Sequence, residues 1–156
     1  MEKAFLKMVD DHQHIIHKVC QMYRDTPEDQ KDLFQDIVLQ LWKAYSAFRN
    51  EAKVSTWMYR IALNTAIAVF RKQKVPIDLK ENLPEGAYTI SKKEQSDKKE
   101  KMFTELRKLS SAERAIIALY LDDFSYKEIA NITGISENYV GVRLNRIKTK
   151  LKKRLA

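Results

Sequence analysis

The sequence predicts an all-α protein of two small helical domains joined by a linker, the C-terminal domain carrying a helix-turn-helix. Three observations carry that prediction. Apolar residues recur at three- and four-residue spacing through most of the chain, with no sustained alternation of period two. Only three glycines and three prolines interrupt 156 residues, so the helices can be long. Helix-start signals stand at Thr26-Pro27, Ser110, Ser125 and Ser136, each just ahead of a periodic apolar run. The formal net charge of +8 points to a polyanionic partner. A single cysteine excludes an intrachain disulfide and fits a reducing, cytoplasmic setting. No stretch has the apolar length of a signal peptide or membrane span, so no membrane partner is expected.

Met1 to Tyr23 reads as one helix, with Phe5, His12, Ile15, Ile16, Val19 and Cys20 near one side. His14, His17 and Cys20 step along it at three-residue intervals and invite comparison with a metal site. No carboxylate is interleaved, and tetrahedral sites usually draw ligands from more than one segment. A small core cysteine beside surface histidines is the preferred reading, and no metal or cofactor is expected. Thr26-Pro27-Glu28-Asp29 then opens a second helix: a cap, a proline at the first helical position, and acids at the positive end of the dipole. Phe34, Ile37, Val38, Leu41, Trp42, Tyr45 and Phe48 form its core stripe, and Asp32, Gln35 and Asp36 share another face at i, i+3 and i+4. The two carboxylates on that face lack a nucleophile, a glycine loop or an apolar surround, so a solvated or protein-docking face is expected rather than acid–base chemistry.

Arg49 to Val54 reads as a polar loop, with Ser55 or Thr56 capping a third helix that runs to about Lys74. Met58, Ile61, Ala62, Thr65 and Val69 are its apolar stripe. Trp57, Arg60, Asn64, Ala68 and Arg71 lie on the neighbouring one, mixing aromatic, guanidinium and amide groups as a surface for single-stranded bases does. Trp57 as a core residue is the preferred reading of this stripe. Pro76 ends the helix, and residues 76–100 read as a linker with little apolar periodicity. Met102 to Leu109 resumes a helix. Ser110 and Glu113 have capping-box spacing ahead of Ile116, Ile117, Leu119, Tyr120 and Leu121.

From Asp123 to Arg154 the chain reads as a helix-turn-helix. Ser125 and Glu128 have capping-box spacing, Gly134 permits the tight reversal, and Ser136 caps the second helix. Val140, Leu144, Ile147 and Leu151 are its buried stripe. The rest of this helix is strongly basic, with no acid after Glu137. Such a helix suits the major groove, its N-terminal residues near base edges and its basic end on phosphate. A solvated basic face and a surface for acidic lipid are the competing readings.

Two segments, DLFQDIVLQLWKAYSAFRNEAKVSTWMYRIALNTAIAVFRKQK and LSSAERAIIALYLDDFSYKEIANITGISENYVGVRLNRIKTKL, in this order and separated by a variable linker, resemble the extracytoplasmic-function (ECF) group of sigma-70 family sigma factors, the bacterial RNA polymerase specificity subunits. The resemblance implies a non-enzymatic protein with region 2 in residues 1–75, a linker in 76–100 and region 4 in 101–156. It implies that Asp32, Gln35 and Asp36 dock on the β′ clamp helices of core RNA polymerase, and that region 4 meets the β flap. It assigns the loop from Arg49 to Thr56 to capture of a flipped non-template −10 base, Asn64 and its stripe to the lining of that DNA, and Phe48, Arg49, Asn50, Lys53, Arg60, Asn64 and Arg71 together to −10 binding. It assigns Ser136, Asn138, Tyr139, Val142, Arg143, Arg146 and Lys150 to double-stranded promoter DNA at the −35 element. Many relatives are held by an anti-sigma factor. Ala68 and Gly141 depart from commonly polar positions, so no contact is carried over to Ala68 and base preference at Gly141 stays open. The alternative is a helix-turn-helix regulator without polymerase docking, which leaves the first segment unexplained.

Overall fold

The computed structural model describes residues 2–48, 53–72 and 94–155, and every described element is helical. The order is α1 (Glu2–Asp11), α2 (Gln13–Tyr23), α3 (Pro27–Tyr45), α4 (Val54–Lys72), α5 (Glu94–Arg107), α6 (Ser111–Leu121), α7 (Tyr126–Thr133) and α8 (Glu137–Leu155). Helices α1 to α4 form one bundle and α5 to α8 a second, and the two pack on each other chiefly through α2 against α5 and α6.

The expected first helix is two helices. His12 leaves helical geometry at φ −119° and ψ 18°, and its ring Nδ1 donates to the Met8 carbonyl at 3.0 Å. The His12 N–H is shared between the Met8 and Val9 carbonyls at 3.2 Å each, so the side chain adds a second donor to the Met8 carbonyl at the end of α1. Helix α3 starts as read: the Asp29 N–H donates to Thr26 Oγ1 at 3.1 Å, with Pro27 following the cap. Its buried residues are Leu33, Ile37 and Leu41, whereas Trp42 is 42% exposed and lies edge-on to Phe5 at 4.9 Å. Trp42 is therefore a rim residue rather than core. Helix α4 begins at Val54, and the Trp57 N–H donates to the Lys53 carbonyl at 3.1 Å. Ser55 and Thr56 accordingly lie inside the first turn and not at its cap.

Helix α5 begins at Glu94, inside the segment expected to be linker, because polar residues such as Lys98, Lys99 and Glu100 can complete a helix whose burial starts only near Leu106. The α6 and α7 capping boxes are both present, at Ser110/Glu113 and Ser125/Glu128. Gly134 closes α7 in the left-handed region at φ 82°, where any side chain is strained. Leu121 is 42% exposed at the end of α6.

The junction between the bundles is built on the C-terminal end of α2. The last carbonyls of a helix lack helical partners and carry its negative dipole. Here the Gln21 carbonyl accepts from Arg107 Nε (2.8 Å), Met22 from Arg114 Nη1 (3.1 Å) and Tyr23 from Arg24 Nη1 (2.6 Å). Two of these three arginines come from the second bundle. Arg114 also lies over the Tyr23 ring at 4.7 Å, and the Tyr23 hydroxyl donates to the Ser111 carbonyl at 2.8 Å. Beside them Asp122, at the end of α6, accepts from Lys18 of α2 (2.8 Å) and from the hydroxyl of Tyr59 on α4. Tyr59 is fully buried, with Phe124 edge-on to its ring at 5.4 Å.

Candidate nucleic-acid interface

Helix α8 presents two distinct sides. Val140, Leu144 and Ile147 are fully buried. Opposite them Asn138, Val142, Asn145 and Thr149 are exposed at i, i+4, i+7 and i+11, with Tyr139 and Arg146 alongside. That outward stripe mixes amides, a hydroxyl and a methyl-bearing side chain, the groups that read base edges in the major groove. Asn138, Tyr139, Val142 and Arg146 were among the residues expected to face DNA; Asn145 and Thr149, exposed on the same side, were not. Their signal was the same four- and three-residue spacing that identified the buried stripe, displaced by half a turn. Ser136 starts the helix by accepting the Tyr139 N–H at 3.2 Å.

Arg143 and Lys150 lie together on a flank, not on the outward stripe. Both sit 3.5 Å from Glu113 Oε2 on α6, and the Arg143 guanidinium stands over the Tyr139 ring at 5.0 Å. Burial works to raise the Glu113 carboxyl, but the Ser110 backbone N–H and Lys150 hold it below its ordinary value, so it stays ionised. On the other flank Lys148 donates to the Tyr120 hydroxyl at 2.9 Å. Gly141 faces Tyr126, whose ring would lie 3.4 Å from an added Cβ. That is an ordinary van der Waals distance, so a small side chain would fit between α7 and α8 at this position.

On α4, Arg60, Asn64 and Ala68 are exposed along one line. Trp57 is half-buried and stacks on Phe48 at 4.5 Å, so one aromatic pair joins the end of α3 to the start of α4. Lys53 is exposed beside it. Arg49 and Asn50 lie outside the described residues, as does the side chain of Arg71. Arg60 and Asn64 line a cleft whose far wall is Ala112, Ile116, Ile132 and Ile135, so the second bundle faces this side of α4.

Asp32, Gln35 and Asp36 are all exposed on α3. Leu39, three residues past Asp36, is 49% exposed and extends that face with an apolar residue. The sequence did not single it out, because a leucine on a helix is ordinarily assigned to the core. Asp36 also acts on the buried guanidinium of Arg24: burial pushes that group down, and Asp29, Cys20 and Asp36 hold it up. Cys20 is buried, and burial pushes its thiol up to about 12, far from the thiolate that binds metal. His14 and His17 are exposed on the same helix, and no group among the described residues could hold a metal ion.

Sigma-70 region 2 matches residues 8–75 and sigma-70 region 4 matches residues 99–151. The chain is 31% identical over 135 residues to the RNA polymerase sigma factor YlaC of Bacillus subtilis, covering 82% of this chain and 78% of that one. It is 26% identical over 150 residues to the ECF RNA polymerase sigma factor SigM of Mycobacterium tuberculosis, covering 95% and 75%. Among solved structures, the sigma factor RpoE in complex with the anti-sigma factor NepR from Bartonella quintana superposes with a TM-score of 0.71 at 18% identity, covering 99% of this chain and 95% of that one. The chain belongs to the sigma-70 family of RNA polymerase sigma factors, in its extracytoplasmic-function group. Members of this family are non-enzymatic initiation factors that act with core polymerase on promoter DNA. No helix among the described residues is long and apolar enough to cross a membrane.

Proposed function

We propose that this chain directs core RNA polymerase to a restricted promoter class, with residues 1–75 as the polymerase-docking and −10 unit and residues 101–156 as the −35 unit. The observation that carries the reading is the outward stripe of α8, Asn138, Val142, Asn145 and Thr149, backed by a fully buried apolar stripe. A second stripe, on α4, accompanies it in the same chain. In this reading α8 enters the major groove upstream. Arg60 and Asn64, with the Phe48–Trp57 pair, meet the melted non-template strand. Stacking on such aromatics contributes about 1–3 kcal/mol per base, comparable with the few kcal/mol that unstacking a base costs.

Asp32, Gln35, Asp36 and Leu39 form the docking face for the β′ clamp helices, and the flap contact belongs to the second bundle. Reading two elements separated along one duplex requires the junction at Asp122 to open, since the Asn64 side of α4 faces α6 and α7. An anti-sigma factor would act on the same equilibrium. The test is transcription by core polymerase from a genomic DNA library, with and without the protein, mapping start sites. New start sites sharing two upstream elements support the proposal. Start sites identical to those of core alone refute it. Tight duplex binding without capture of core polymerase would support a helix-turn-helix regulator instead.

A further inference from the structure

Glu113 is a carboxylate set among the cations of a domain that would approach a polyanion. Its two oxygens have separate partners. Oε1 accepts from the Ser110 N–H and hydroxyl, both at 3.3 Å, completing the cap of α6. Oε2 faces Arg143 Nη1 and Lys150 Nζ, each at 3.5 Å. Those cations are seven residues apart on α8, two turns along one flank. Their exposures differ: the Arg143 side chain is 28% exposed and Lys150 47%, while that of Glu113 is 9% exposed. Arg143 is held further by the Tyr139 ring and has a buried Nε. Lys150 has only the carboxylate and a flexible stem.

We infer that Glu113 is a positioning residue that pins Arg143 and Lys150 to α6 and so restrains the sequence-independent attraction of α8 for duplex phosphate. The inference rests on α8 being the duplex reader. Phosphate contacts supply affinity without sequence information, and base choice is left to the outward stripe. With Glu113 ionised, a phosphate reaching this flank meets two cations that already share one counter-charge. It must displace the carboxylate from one of them to form its own pair. Non-promoter DNA competes through this same term, in large excess over promoter sites. A carboxylate at this place thus limits the time spent on irrelevant sequence.

The test is Glu113→Gln in the full chain, assembled with core polymerase. Glutamine at this helix position keeps the capping box and turns an amide toward Arg143 and Lys150, which offers them no charge. Fluorescence titration of the holoenzyme on duplexes with randomised upstream elements, at several salt concentrations, reads the result. The expected outcome has three parts. Affinity for all duplexes rises several-fold together. The slope of log K against log salt steepens by up to ~0.9 for each cation freed. The ranking of upstream sequences stays the same. A purely structural role for Glu113 moves helical content and not the salt slope. Glu113→Gln in an Arg143→Ala/Lys150→Ala background should then change nothing further. A full effect in that background would show that Glu113 acts as a diffuse charge, which overturns the inference. So would an unchanged slope in a folded variant, or a changed ranking, which would make Arg143 a base reader. A wild-type holoenzyme with no upstream preference would instead refute the assignment of α8 itself.

Discussion

Replacing Asp122 with alanine should destabilise the protein by about 2–3 kcal/mol, because it removes the acceptor shared across the junction. Tyr59 is fully buried, and its hydroxyl donates to Asp122. Leaving a buried donor without an acceptor costs ~1–3 kcal/mol. Lys18 loses less: its side chain is 18% exposed and keeps the Ala118 carbonyl at 2.8 Å, so the ion pair adds at most ~1 kcal/mol. Urea unfolding followed by helical circular dichroism measures the sum. Tyr59→Phe removes the hydroxyl together with its need for a partner. Asp122→Ala should therefore cost ~1–2 kcal/mol less in that background. The buried residues form one contiguous core across both bundles, so wild-type protein should unfold in a single transition. A wild-type midpoint for Asp122→Ala, or equal costs in both backgrounds, would refute the reasoning. The same variant should also separate the bundles more readily, read as a lower energy-transfer efficiency between dyes placed on α3 and α8.

Three further outcomes are expected. Asp32→Arg should abolish capture of core polymerase in a pull-down while shifting stability by less than ~0.5 kcal/mol, since the side chain is exposed; Asp36 suits this test less well because it supports the buried Arg24. Asn64→Ala should reduce permanganate reactivity of the −10 region while core binding is kept, and a pre-melted template should restore initiation. Burial acts to raise the Asp122 carboxyl, but Lys18 and Tyr59 hold it below its ordinary 3.8. A lowered folded-state value means its contribution is fully present above the unfolded value and is lost as pH falls through the folded one. The urea midpoint should accordingly be flat from about pH 7 to 5 and decline below about pH 4, less steeply in Asp122→Ala.

What the sequence alone determined is local. The caps at Thr26, Ser110, Ser125 and Ser136, the left-handed Gly134 and the buried stripe Val140–Leu144–Ile147 each rest on residues within a turn or two of one another. Such interactions are written in spacing, and so the all-α class, the helix-turn-helix and the polar face of α3 were legible. The helix break at His12 was not, because nothing in a periodic pattern marks a histidine that bonds back to its own preceding turn. What only the tertiary structure decided involves residues brought together from far along the chain. Tyr59 was absent from the predicted stripe of α4, yet it is fully buried because Phe124 and Asp122 of the second bundle cover it. Trp42 looked like core by spacing and is 42% exposed, with Phe5 of α1 against its ring at 4.9 Å. Arg143 was assigned to promoter DNA by its position in the motif, and nothing local to α8 announced that Glu113, thirty residues earlier, pairs with it on the flank beside Lys150. Periodicity specifies which direction a side chain takes from its own helix. Which charge or ring it finds there depends on how the helices are stacked, and that is set by the packing of both bundles together.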